Sequence, residues 1–206
     1  MKRNKKVALT ATALSLSALL AACGGEETTS SGDGEKELDL LITSEPPSLH
    51  PQLASDTTSG AILESTFEGL TTMVEGEPVL AAAEDYKVSD DLLTYTFTLR
   101  DAQWSNGEKV TAEDFAYAWK WALNPENASE YSTILYPIKG AEEYNNGVGT
   151  AEDVAINVID EKTLEVTLNA PTPYFLELTA FKTFFPIHKA TAEADPKWYT
   201  EADNYV

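Results

Sequence analysis

Two histidines, a surplus of carboxylates and a few clustered aromatics are the side chains in this 206-residue sequence that could act on another molecule. Their spacing decides what they can do. His50 lies between Leu49 and Pro51, and His188 between Ile187 and Lys189. Neither has carboxylates or a thiolate at metal-ligand spacing, so they read as one loop histidine and one strand-end histidine. Glu64 and Glu68 lie one helical turn apart and could in principle do the paired-carboxylate work of a glycosidase. Among 34 acidic residues, such a pair is better explained as a solvated helix face. G-x-S-x-G, a phosphate-binding loop and a dinucleotide glycine pattern are all missing. No catalytic residue, metal or cofactor is expected, and the chain does not read as an enzyme.

The aromatics are more informative. Trp104, Trp119, Trp121 and Tyr117 offer flat contact area with a polar tip and could line a ligand groove. Phe115 and Trp119, at helical spacing, are more simply core. Tyr131 is different, because it follows the polar stretch Asn127-Ala-Ser-Glu130 and no period demands its burial. It is a candidate ligand contact.

The lone cysteine has a chemistry of its own. Lys2, Arg3, Lys5 and Lys6 precede an apolar run from Val7 to Leu20 that is too short to span a bilayer comfortably, so residues 1–22 read as a cleaved secretory leader. Leu20-Ala21-Ala22-Cys23 resembles the bacterial lipobox, in which the cysteine sulfur takes a diacylglycerol before cleavage. Cys23 then becomes a lipidated first residue, and two or more acyl chains, at about 0.8 kcal/mol per buried methylene, hold a protein on a membrane stably. With one cysteine, no intramolecular disulfide can form.

The leader carries four cations and no carboxylate, so the formal charge of -20 becomes -24 without it. Such a surface repels phosphate backbones and anionic headgroups, which argues against nucleic acid and leaves the lipid as the membrane contact. At 43% hydrophobic residues the acidity does not signal disorder. The exception is Gly24 to Lys36, which has no large apolar residue and reads, with Cys23, as a flexible tether over 23–36.

The elements that must position these groups begin with a strand at Leu38 to Ile42, stopped by Pro46-Pro47. A helix is expected from Ser59 to about Gly69, with Ile62, Leu63, Thr66, Phe67 and Leu70 sharing a face, then a strand from Leu70 to Val74 into a turn at Glu75-Gly-Glu-Pro78. Tyr86 to Val88 and Leu93 to Arg100 form a hairpin across Ser89-Asp-Asp91, with Tyr95, Phe97 and Leu99 facing one way. After an Asn106-Gly107 turn, Thr111-Ala-Glu-Asp114 starts a helix whose apolar face is Phe115, Ala118, Trp119 and Ala122 and whose end is Asn124-Pro125. Short helical stretches are expected at Tyr131 to Leu135 and Gly140 to Tyr144. A second hairpin joins Ala155 to Ile159 with Thr163 to Leu168, and a last helix runs from Tyr174 to Ala180.

Read in order, Pro47-Ser-Leu-His-Pro51, Phe67-Glu-Gly-Leu70, Pro78-Val-Leu-Ala81, Ser89 through Asp101, Trp104-Ser-Asn-Gly107 and Thr111 through Trp119 resemble the extracellular solute-binding proteins of ABC importers, in their oligopeptide-binding branch. The family typically has an aspartate in place of His50. The resemblance implies an α/β, periplasmic-binding-protein-like type II two-lobed fold. Only the start of lobe I (37–66) and its extra α+β domain (67–189) are expected here, with 190–206 turning back toward lobe I. It also implies an N-terminal fragment or truncated product, poorly soluble alone because the first strand lacks partners.

By resemblance the function is capture of extracellular oligopeptides and delivery to membrane permease subunits. The protein would act as a lipid-anchored monomer on the outer face of a cell membrane, of Gram-positive type. The peptide is bound as an added strand. The positions matching ligand contacts are Ser55, Asp56, Thr57 and Thr58, together with Tyr131; the groups that fix the peptide's ends usually come from the distal lobe. Alternatives are a receptor of the same family for a dipeptide, nickel chelate, haem, sugar or signalling peptide, or an inert surface lipoprotein. An anchored hydrolase is disfavoured by the missing catalytic set.

Overall fold

The structure, a computed structural model, describes residues 41–42, 44–201 and 205–206. The leader, Cys23, the tether and most of the expected first strand lie outside the described residues. Leu41 and Ile42, the end of that expected strand, are exposed and in no strand. From Ile42 onward the chain forms one unit with a single apolar core.

The elements are α1 (Thr57–Thr66), β1 (Thr71–Val74), β2 (Glu77–Leu80), β3 (Ala83–Val88), β4 (Thr94–Leu99), α2 (Ala112–Leu123), α3 (Ala141–Asn145), β5 (Ile156–Asp160), β6 (Thr163–Thr167), α4 (Phe175–Leu178) and α5 (Lys189–Ala194), with short 3-10 turns between them. The two expected hairpins are not separate. β4 pairs with β6 in antiparallel register, Phe97 opposite Leu164 and Tyr95 opposite Val166, giving one four-stranded sheet in the order β3-β4-β6-β5.

β4 alternates as its sequence demands, with Tyr95, Phe97 and Leu99 buried and its threonines half-buried on the other face. α2 covers this sheet. Its buried stripe includes Phe115, Ala118, Trp119 and Ala122, and the alanines let the helix axis approach the strands closely. The Thr111 start is closed by Asp114, whose Oδ2 accepts from the Thr111 amide at 2.9 Å and its hydroxyl at 3.0 Å. The same carboxylate accepts from Trp104 Nε1 at 3.2 Å and, through Oδ1, from the Lys189 amide at 3.0 Å. This buried acid is therefore a structural hub.

Several expectations need correction. The turn after β1 is only Glu75-Gly76, both at positive φ (53° and 89°), and Glu77 and Pro78 belong to β2. Proline is tolerated there because β1 and β2 form a two-stranded sheet of their own, with an edge that needs no donor. α1 starts at Thr57 and ends at Thr66, because Asp56 caps it; of the proposed shared face only Leu63 is buried within the helix, and Leu70 reaches the core from beyond it. The last expected helix is a single turn, α4. His188 is no strand-end residue: it precedes α5, buried, with Nδ1 2.7 Å from Thr191 Oγ1 and Nε2 2.6 Å from a Glu108 oxygen.

Candidate ligand-binding site

The candidate residues sit on two segments joined by side-chain hydrogen bonds. One is a loop running through Ser55 and Asp56 into the first turn of α1, where Thr57 and Thr58 are helical rather than in the loop expected from sequence. The other is the loop after α2 that carries Tyr131. In the first loop the His50 carbonyl accepts from the Leu53 and Ala54 amides, each at 3.0 Å, and His50 Nδ1 accepts from the Gln52 amide at 3.2 Å. His50 is thus no free loop histidine. It is 2% exposed, with its ring 4.2 Å from Trp121, 4.9 Å from Tyr199 and 5.5 Å from Trp198, and burial pushes its pKa down to about 3. The second loop follows α2. Asn124 Oδ1 accepts from the Glu126 amide, Ala128 turns the chain at φ 50°, and the buried Ser129 donates its hydroxyl to the Gln52 carbonyl.

Gln52 is the hinge pin of the arrangement. Its Nε2 donates to the Thr183 carbonyl at 3.2 Å and the Phe185 carbonyl at 2.8 Å. Trp119 Nε1 donates to the Phe184 carbonyl at 2.7 Å from the other side. The turn Lys182–Phe184 is therefore clamped between the first loop and α2. On it, Lys182 Nζ lies 4.8 Å from the Tyr131 ring centroid, and Phe181 packs edge-on to Tyr131 at 5.4 Å.

Asp56 Oδ1 accepts from the Ser59 amide at 2.9 Å, and that capping, through the Ser59 side chain and backbone, holds its carboxyl below the usual range. Thr58 Oγ1 is 3.0 Å from Ser44 Oγ, while Ser55 and Thr57 are exposed. Asp56 and Glu64 both act on the charge of Lys182. The structure thus brings Tyr131 into contact with one lysine and Asp56 within range of its charge, a lysine that is not among the residues expected from sequence. Its one signal there was a cation inside the apolar run Phe181-Lys-Thr-Phe-Phe185.

The expected aromatic groove divides. Trp119 is fully buried, while Trp104, bonded to Asp114, borders a separate hollow of about 320 Å³ with Phe67, Arg100 and Val110. Trp121 and Tyr117 line an open hollow of about 490 Å³ shared with Lys120, Tyr144 and Asn157. No group of three or more histidine, cysteine or acidic side chains suited to a metal ion occurs among the described residues. Among them, too, no helix is long and apolar enough to cross a membrane.

Comparison with known proteins matches the chain's sequence and backbone to one group. The model of the bacterial extracellular solute-binding proteins, family 5, matches residues 77–206. The oligopeptide-binding protein OppA of Bacillus subtilis is 52% identical over 91% of the chain, which covers 36% of that relative. The dipeptide-binding protein DppE of the same organism is 39% identical over the whole chain, which covers 40% of it. Among solved structures, the substrate-binding domain of an oligopeptide ABC transporter from Bacillus anthracis superposes with a TM-score of 0.78 at 39% identity, over 81% of this chain and 33% of that one. Listeria monocytogenes OppA bound to peptide gives 0.76 at 38%, over 79% and 33%. The chain spans about a third of the length of the relatives it matches.

Proposed function

This chain belongs to the bacterial extracellular solute-binding proteins of family 5, with the periplasmic-binding-protein-like α/β fold of their solved members, and from that premise we propose that it captures extracellular oligopeptides for an ABC importer. The observation that carries this is the bonding of two candidate segments through Gln52. Ser129 and the Thr183–Phe185 backbone both close on it, which holds Tyr131 near Ser55–Thr58 as a preformed surface. Binding requires no covalent step. An extended peptide offers its backbone as an added strand, which tolerates varied side chains, while Tyr131, Ser55, Asp56, Thr57 and Thr58 contact it. Membrane permease subunits receive it.

The arrangement of the protein follows from the same reading. Residues 37–66 begin the first lobe, 67–189 are its extra α+β domain and 190–206 return toward that lobe. Residues 1–22 export the chain, and lipid on Cys23, through the 23–36 tether, keeps a monomeric receptor at the outer face of the membrane. Cys23→Ser is expected to shift the protein from the membrane fraction to the medium; an unchanged membrane fraction would remove the anchor from the account.

The match to a dipeptide-binding protein over the whole chain supports a second reading, a receptor for dipeptides. Native mass spectrometry of the whole polypeptide with an equimolar pool of random di- to hexapeptides separates the two. Retention of peptides of three residues or more is expected. Retention of dipeptides alone would transfer the case to the second reading, and retention of none would end both.

A further inference from the structure

Lys182 is 7% exposed, yet its ammonium makes no hydrogen bond and no ion pair among the described residues. Its nearest company is aromatic, with the Phe181 ring centroid 4.3 Å away and that of Tyr131 4.8 Å away. The stem is buried while Nζ itself still reaches solvent, and ring faces offset only part of the hydration it has lost. Burial accordingly lowers its hold on the proton, and Glu64 and Asp56, the acids facing it, pull the other way from a distance without closing a contact. Asp56 cannot simply swing in, because its carboxylate already caps α1.

The surrounding polar atoms show the same incompleteness. Gln52 Oε1 and Thr183 Oγ1 are buried without a partner, and they belong to the first loop and to the turn that carries Lys182. A buried cation is normally paired. Here the turn is clamped by Gln52 and Trp119, so the lysine is held in place while its charge is left open.

We infer that Lys182 is a ligand-contacting residue that holds a carboxylate of the bound peptide, its C-terminus or an acidic side chain, beside the Tyr131 ring. The inference rests on the peptide-receptor reading above and deepens it. On a chain of net charge -20 a carboxylate is repelled almost everywhere, and one sheltered ammonium reverses the sign locally. Within that shelter an N–H···carboxylate bond is charge-assisted and short.

The test is isothermal titration of the whole polypeptide with alanine peptides of three, four and five residues. Each is used as the free acid, as the C-terminal amide, and as an amide carrying one glutamate at each position in turn. At one length at least, the acid or one glutamate amide is expected to bind about tenfold more tightly than the plain amide. Which of the two does so distinguishes the C-terminus from a side chain. Lys182→Met should erase that preference, and Lys182→Arg should keep it. Equal binding of all forms by the unaltered protein overturns the inference without any variant, and so does a preference that survives Lys182→Met. Failure of every peptide to bind overturns the peptide-receptor reading and the inference with it.

Discussion

His50 shows how one side chain can keep a local bond while changing its surroundings. Its Nδ1 accepts the Gln52 amide at 3.2 Å, the bond that an aspartate, expected here by family resemblance, would make from its carboxylate in an Asx turn. The ring adds what a carboxylate lacks, contact with Trp121, Trp198 and Tyr199. Because burial sets the folded pKa at about 3, below the ordinary 6.5, the unfolded chain takes up the proton first as pH falls. This residue's contribution to stability is therefore complete above pH 6.5 and shrinks by about 1.4 kcal/mol per pH unit below it, until about pH 3. His50→Asn keeps an acceptor for Gln52 and removes that titration. Chemical denaturation at intervals from pH 7 to 4.5 should show the variant losing stability less steeply than the parent, by close to one proton; parallel profiles would refute the burial argument.

At the scale of elements, the connection into α3 depends on Gly140. It sits at φ 82°, and a Cβ there would meet the Asp153 carbonyl oxygen at 2.3 Å. Gly140→Ala is expected to cost about 2–4 kcal/mol, combining left-handed strain with overpacking. Gly147→Ala, at φ 76° with open space around it, should cost only about 1 kcal/mol. Equal losses in thermal unfolding would contradict the steric account. Elements with a clear period were readable from sequence: the alternation in β4 and the Phe115/Trp119 stripe of α2 are local patterns that the core simply obeys. The β1–β2 hairpin is not legible in the sequence, because Pro78 signals a turn and only the separate two-stranded sheet makes it a strand residue. Lys182 is illegible for a different reason. Its significance depends on Gln52, 131 residues before its bonding partner Thr183, and on Trp119, and no local pattern encodes such distant partners.

For the whole molecule, the acidic surface, the family and the joined loops point to one role. A strongly negative receptor gains solubility and repels anionic polymers, and selectivity must then come from a small built site. In the reading proposed above, Tyr131, Ser55–Thr58 and the clamped turn at Lys182 form that site, and the chain spans about a third of the length of its relatives. The most direct test is calorimetric titration of tetra-alanine into the whole polypeptide and its Tyr131→Ala variant, with the peptide recovered afterwards. Saturable one-to-one binding is predicted, weakened about tenfold or more by the substitution, with the peptide returned intact. Absence of binding, affinity unchanged in Tyr131→Ala, or a hydrolysed peptide would contradict the account.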